Sequence, residues 1–329
     1  MGNHSVATNG LRGQSTRGRA VRIAFGKIWV PVVGIAVVTS VAGCGGNDAP
    51  GAPSASSVAA SSPSSPPVDV DAAFAQYMKA VKPFWCASGF PDSGEMANAG
   101  VVGNLKVVHE YRDVMMTWDD NLGRIAVPPA AQPIVGKLRE LNAAEMADID
   151  ALAAAAEKND KKQMKRLTGL LNLDDAIVTV ETNRLSAALG HPEPQAGIAA
   201  AQLEVAEHTF FKDIAPVGDK FEAALSRGDL NGAKAANAIE QDAAQRFIDG
   251  LGAIDWPAQF EGQVNVLRDN LHKVIEFSRR QVDDAATAQI VSREEGAPLL
   301  TAVDDAVGSI QDGLYKLRAE SAPELACQR

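Results

Sequence analysis

The sequence predicts an all-α protein made of two tandem repeats of a roughly four-helix unit, a duplicated antiparallel helical bundle. Three observations carry this. From about Asp69 to Glu320 apolar residues recur at spacings of three and four, the period of a helix with one buried stripe. The same stretch is Ala-rich and has almost no β-branched runs, so nothing in it favours strands. Three ordered blocks then recur further along the chain, the signature of an internal repeat.

The chain has 329 residues, 46% of them hydrophobic and 22% charged, enough to bury a core. Its formal net charge of −10 argues against nucleic acid as a general partner. The first 27 residues hold Arg12, Arg17, Arg19, Arg22 and Lys27 without an acid, and an apolar stretch follows from Ile28 to Ala42. A basic region before a short apolar run is the layout of a secretory signal, and the run falls short of the roughly 20 residues that cross a bilayer. It ends in Val41-Ala42-Gly43-Cys44, which resembles the lipobox of bacterial lipoproteins. That resemblance implies a signal peptide over residues 1–43, removal of it, and a diacylglycerol with palmitate-type acyl chains on Cys44. The whole chain resembles the Ala-rich lipoproteins of GC-rich actinobacteria, which implies a secreted, lipid-anchored protein on the outer face of the cytoplasmic membrane and no particular activity.

Residues 44–68 are the lipidated cysteine and a Gly/Ala/Ser/Pro tract, a flexible tether too poor in apolar residues to order itself. A Gaussian chain of this length would hold the folded part roughly 25–30 Å from the lipid.

Repeat 1, residues 69–190, is expected to hold helices over about 70–87, 98–124, 130–158 and 160–189. Repeat 2, residues 191–329, is expected to hold them over about 197–226, 230–252, 257–290 and 293–320. Lys79-Ala-Val-Lys-Pro83 reappears as Lys212-Asp-Ile-Ala-Pro216, with Tyr77 matched by Phe210. Asp120, Leu122, Gly123, Ile125, Pro128, Val135, Leu138 and Arg139 recur 129 positions later, from Asp249 to Arg268. Leu170, Leu173, Asp174, Asp175, Ala176, Ile177 and Val180 recur 130 positions later, from Leu300 to Ile310. Prolines at 128, 129 and 257 separate helices, because proline suits a first turn and disfavours continuation of the helix before it. Short connections make sequence neighbours antiparallel. Ser88 to Gly100 reads as a loop that interrupts the first repeat only.

With Cys44 lipidated, Cys86 and Cys327 remain outside the cytoplasm, where disulfides persist, and are expected to pair and tie the two repeats together. The chain-entropy model assigns so long a loop up to roughly 5 kcal/mol. Phe84, Trp85, Trp118 and Trp256 sit near helix ends or Pro turns, where they plug the bundle or wall a small apolar pocket.

No Glu-x-x-His pair of the di-iron bundle kind, no Cys-x-x-Cys-His, no Gly-x-Ser-x-Gly and no phosphate-binding glycine loop occurs, so no catalytic residue and no cofactor is assigned. Glu204 with His208 and His272 with Glu276, each one helical turn apart, are the only metal candidates, and such pairs are more often solvated. The acid pairs Asp174-Asp175 and Asp304-Asp305 read as flanks of an apolar stripe. These observations imply a non-enzymatic binding or interaction module of the cell envelope, meeting another envelope protein or a small apolar ligand. A metal- or cofactor-binding bundle protein or enzyme and a structural spacer are the alternatives.

Overall fold

A computed structural model describes the backbone of residues 68–86, 93–286 and 295–322, and the side chains of 68–84, 105–281 and 295–322. Among the described residues the chain is all-helical, without a strand. Nine α-helices follow in order among these described residues: α1 (Val70–Cys86), α2 (Ser93–Leu122), α3 (Gln132–Glu157), α4 (Lys161–Ala188), α5 (Gln195–Ile214), α6 (Val217–Ser226), α7 (Leu230–Ala253), α8 (Glu261–Ala286) and α9 (Ala297–Ser321). None of them is long and apolar enough to cross a membrane.

The helix ends follow from local chemistry. At the start of α1, Asp69 Oδ1 accepts a hydrogen bond from the Ala72 N–H at 3.0 Å, satisfying one of the donors that a first turn leaves unpaired. Asp160 caps α4 through Gln163 N–H at 3.0 Å, and Asp229 caps α7 through Gly232 N–H at 2.8 Å. The residue before each of these two caps turns the chain with a positive φ, Asn159 at 52° and Gly228 at 67°. Pro133 and Pro298 lie in the first turns of α3 and α9, where no N–H is needed.

Two expectations from the sequence need correction. The helix expected over 197–226 is two helices, because Pro216 has no N–H to donate and its ring crowds the carbonyl one turn back, so the chain breaks between α5 and α6. Pro83, its counterpart, sits inside α1, which ends one turn later. The loop expected over 88–100 is helical from Ser93 onward; Glu95, Met96, Ala97 and Ala99 are good helix formers, and Ser93 is a favourable opening residue. Elsewhere the expected boundaries shift by a few residues; Gly296 and Pro298 delay α9 to Ala297.

Helices α1 to α4 pack each on the next in sequence, and α2 also reaches α4. The buried Tyr77 hydroxyl of α1 donates to the Thr182 carbonyl of α4 at 3.2 Å. Helix α5 packs against both α7 and α9, α7 against α8, and α8 against α9, while α6 lies on α7. Two apolar cores result, one running from Ala73 to Leu189 and the other from Ala196 to Leu314. The α4–α5 contact joins them across a short turn, Gly190 to Pro194.

Candidate functional site

Helices α4, α5 and α7 leave an open groove of about 390 Å³ where the two cores meet. Its walls are Ile177 and Val180 of α4, Val205 and Ala206 of α5, Gly250 of α7, and Ile254 just past the end of α7. Phe210 and Phe247 form its buried floor, their ring centroids 5.5 Å apart. Small residues make the space: a Cβ added at Gly250 would meet only the Ala206 methyl, at 3.8 Å. At the edge Arg246 Nη2 donates to Asp213 Oδ2 at 2.8 Å. One of five guanidinium N–H donors makes that bond, and the Arg246 side chain keeps 57% of its surface in solvent. The groove is thus an apolar trough with one charged pair at its mouth, suited to an apolar body carrying a polar head.

A second feature is a series of polar groups inside the helix contacts. Tyr111 of α2 donates to Glu145 Oε1 of α3 at 2.8 Å, and burial together with Asp175 and Asp174 holds that carboxyl well above the usual range. Asp174 is pushed up to about 6 by burial and by the neighbouring Asp148. Tyr315 of α9 donates to Glu204 of α5, whose carboxyl burial raises to about 7. Gln311 Nε2 donates to Glu207 Oε2 at 2.8 Å, and burial raises Glu207 to about 8. In the α7–α8 contact Ser278 Oγ donates to Glu240 Oε2 at 3.1 Å, and Asn237 Nδ2 to the Ser278 carbonyl at 2.8 Å. These side chains stand at apolar positions of the helix period; Glu207 lies between Leu203 and Phe210, and Glu145 between Leu138 and Ile149. An acid inside an apolar register is a signal the periodicity already contains.

The residues singled out from the sequence fall apart in space. Phe84 and Trp118 stack in the first core with centroids 4.6 Å apart, and among the described residues nothing accepts a hydrogen bond from the buried Trp118 Nε1. Trp256 belongs to the second core, where its Nε1 donates to the Leu251 carbonyl at 2.8 Å. Glu204 and His208 share α5, but the carboxylate is engaged by Tyr315, and burial lowers His208 to about 4. His272 and Glu276 are exposed on α8. Among the described residues no group of three or more His, Cys, Asp or Glu side chains is placed to hold a metal. Cys86 ends α1; Cys44, Cys327 and the side chains of Trp85 and Cys86 lie outside the described residues. Asp174, expected to flank the apolar stripe and point to water or pair with a basic residue across the bundle, is half-buried facing Asp148 of α3, with the Lys212 charge of α5 acting on it as well. No protein-family model, curated protein or solved structure matches the chain.

Proposed function

We propose that the chain is a lipid-anchored, non-enzymatic binding module of the cell envelope, built as two tandem four-helix units, and that it carries an amphiphile with an anionic head. The observation that carries this reading is the α4/α5/α7 groove: apolar walls, space left by small residues, and Arg246 at the mouth. The basic leader, the apolar run and Cys44 support the anchor. Matched burial supports the duplication: Tyr77 with Phe210, Val81 with Ile214, Trp118 with Phe247, Leu122 with Leu251 and Leu138 with Leu267 are all buried. Polar contacts also recur in matching layers, since Tyr111 and Glu240 stand 129 positions apart and each bonds across to the following long helix.

Binding of palmitate and of dodecylammonium to the purified full chain, followed by displacement of an anilinonaphthalene sulfonate probe, tests this. Palmitate is expected to displace the probe and the cationic amphiphile to do so poorly. Arg246→Glu is expected to reverse that order, and Gly250→Leu to abolish both by filling the trough. Equal displacement in the native chain and in Gly250→Leu would overturn the reading.

A further inference from the structure

Charge is spread unevenly over the molecule. Lys158, Lys161, Lys162, Lys165 and Arg166 crowd the turn from α3 into α4, all of them exposed, in a chain whose net charge is −10. The same stretch holds one acid, Asp160, whose Oδ1 caps α4 through the Gln163 N–H. At about 100° per residue the four cations of α4 fall within an arc of about 140°, opposite the buried Met164 and Leu167. The fold gains nothing from this arrangement. The first turn of α4 has no acid and carries Lys161 and Lys162 instead, against the sense of the helix dipole. Lys161 with Lys165 and Lys162 with Arg166 are like charges one turn apart, which destabilise a helix. Elsewhere surface cations meet acids, as Arg112 meets Asp150 and Arg139 meets Asp119. Among the described residues no carboxylate pairs with Lys158, Lys161 or Lys162.

We infer that this tip is an interaction surface for a flexible anionic polymer that bears phosphate groups. Charge complementarity sets the sign of the partner, and lysine ammonium groups serve phosphate as point charges. Arg166 spends its Nε–H on Gln163 Oε1 at 3.1 Å, which leaves its two Nη groups to face the same partner. The rest of the chain is more acidic than its net charge of −10, so a rigid duplex laid on the tip would also meet repulsion, whereas a thin flexible chain touches the tip alone. Position separates the polymer from a bilayer. The chain enters α1 at the other pole, where the His191 ring stacks on Phe74 with centroids 3.8 Å apart and its Nε2 lies 3.3 Å from Asp71 Oδ1. A recess of about 1030 Å³ opens there, bordered by Phe74, His191 and Ala322 just past the end of α9. Helix α4 sets the tip about 40 Å from that pole, so a lipid tether arriving at Asp69 leaves the tip facing away from the membrane; this choice of partner rests on the proposed anchor, while the binding itself does not.

Affinity of the purified full chain for linear polyphosphate, measured across a salt series, tests this. Each cation that a flexible polyanion engages adds about 0.7 to the slope of log affinity against log salt. The triple variant Lys158→Gln, Lys161→Gln, Lys162→Gln is therefore expected to lower the slope by about 2 and to bind about tenfold more weakly at low salt. A second triple variant, Lys106→Gln, Lys137→Gln, Lys273→Gln, has the same net charge with its changes on other surfaces, and is expected to stay within about twofold of the parent. The basic leader is common to all three chains, so differences between them report the tip. Equal losses in the two triple variants would show a response to net charge alone and overturn the proposal. A tip variant that weakens binding to phosphatidylglycerol vesicles as much as to polyphosphate would give the surface to a bilayer, and would overturn it as well. A lower urea midpoint in the tip variant would assign the lysines to the fold, with the same consequence.

Discussion

Glu207 occupies a position that the period of α5 reserves for an apolar side chain, and the consequence is a pH-dependent fold. Burial raises its carboxyl from 4.5 to about 8, and that of Glu204 from 4.5 to about 7. A carboxyl with a raised folded pKa binds its proton more tightly in the folded chain. Its stabilising contribution is complete below about 4.5 and is lost as pH rises through the folded value. His208 acts in the opposite sense: its folded pKa falls from 6.5 to about 4, so its contribution is complete above 6.5 and is lost on acidification toward 4. Between pH 6.5 and 8 only the carboxyls act, and stability is expected to fall as pH rises, by at most about 1.4 kcal/mol per pH unit for each group titrating. Urea melts at pH 6.5, 7.25 and 8 measure the slope. Glu207→Gln keeps the shape and a polar partner for Gln311 while removing the titration. It is expected to flatten the slope, and an unchanged slope would exclude Glu207 as its source. Gly250→Ala adds a methyl at ordinary contact distance from Ala206 and removes a helix-interior glycine. It is expected to raise stability by about 0.5–1 kcal/mol in the same melts.

Among the elements, the turn between α6 and α7 shows most directly how local chemistry sets the topology. Gly228 turns the chain with a φ of 67°, a region that costs other residues a backbone penalty, and Asp229 then caps α7. Gly228→Ala and Asp229→Ala are each expected to cost about 1 kcal/mol, read as a lower urea midpoint at constant slope. At Pro216 the break between α5 and α6 comes from the proline itself. Pro216→Ala in a chain still broken at 215 would show instead that packing of α6 on α7 fixes the bend, a distinction that amide exchange at residues 214–218 would read.

At the scale of the whole molecule, much of the architecture is written in the sequence because helical period, proline and capping residues act over a few positions. Of the apolar stripes, Phe260 just before α8, Val264, Leu267, Leu271 and Val274 in α8, and Val303, Val307, Ile310 and Leu314 in α9 are buried at steps of three and four, while Leu300 and Leu317 at the ends of the α9 stripe are partly buried. The start of α2 departs from the expected loop because the glycines and the proline between Ser88 and Gly100 look like loop punctuation, whereas Glu95, Met96 and Ala97 sustain a helix. The groove between α4, α5 and α7 was not legible. It arises where small residues of α5 and α7, among them Ala206 and Gly250, face one another beside Ile177 and Val180 of α4, and which faces meet depends on rotations that a one-dimensional pattern does not encode. The buried carboxyls could have been found by asking which polar residues break an apolar register; their partners, Tyr315 and Gln311 more than a hundred positions away, could not.

The place where α1 begins and α9 ends has one more consequence. Asp71 and Phe74 meet His191 of the 190–194 turn, and Ala322 borders the same recess, so the first and last described helices open onto one pole. The first and last described helices therefore have their outer ends beside one recess, the arrangement in which circular permutation is tolerated. A circular permutant that joins the ends through a glycine-rich linker and opens the chain between Gly228 and Asp229 is expected to keep its helicity, and to melt within about 5 °C of the parent once the cost of losing one cap is counted.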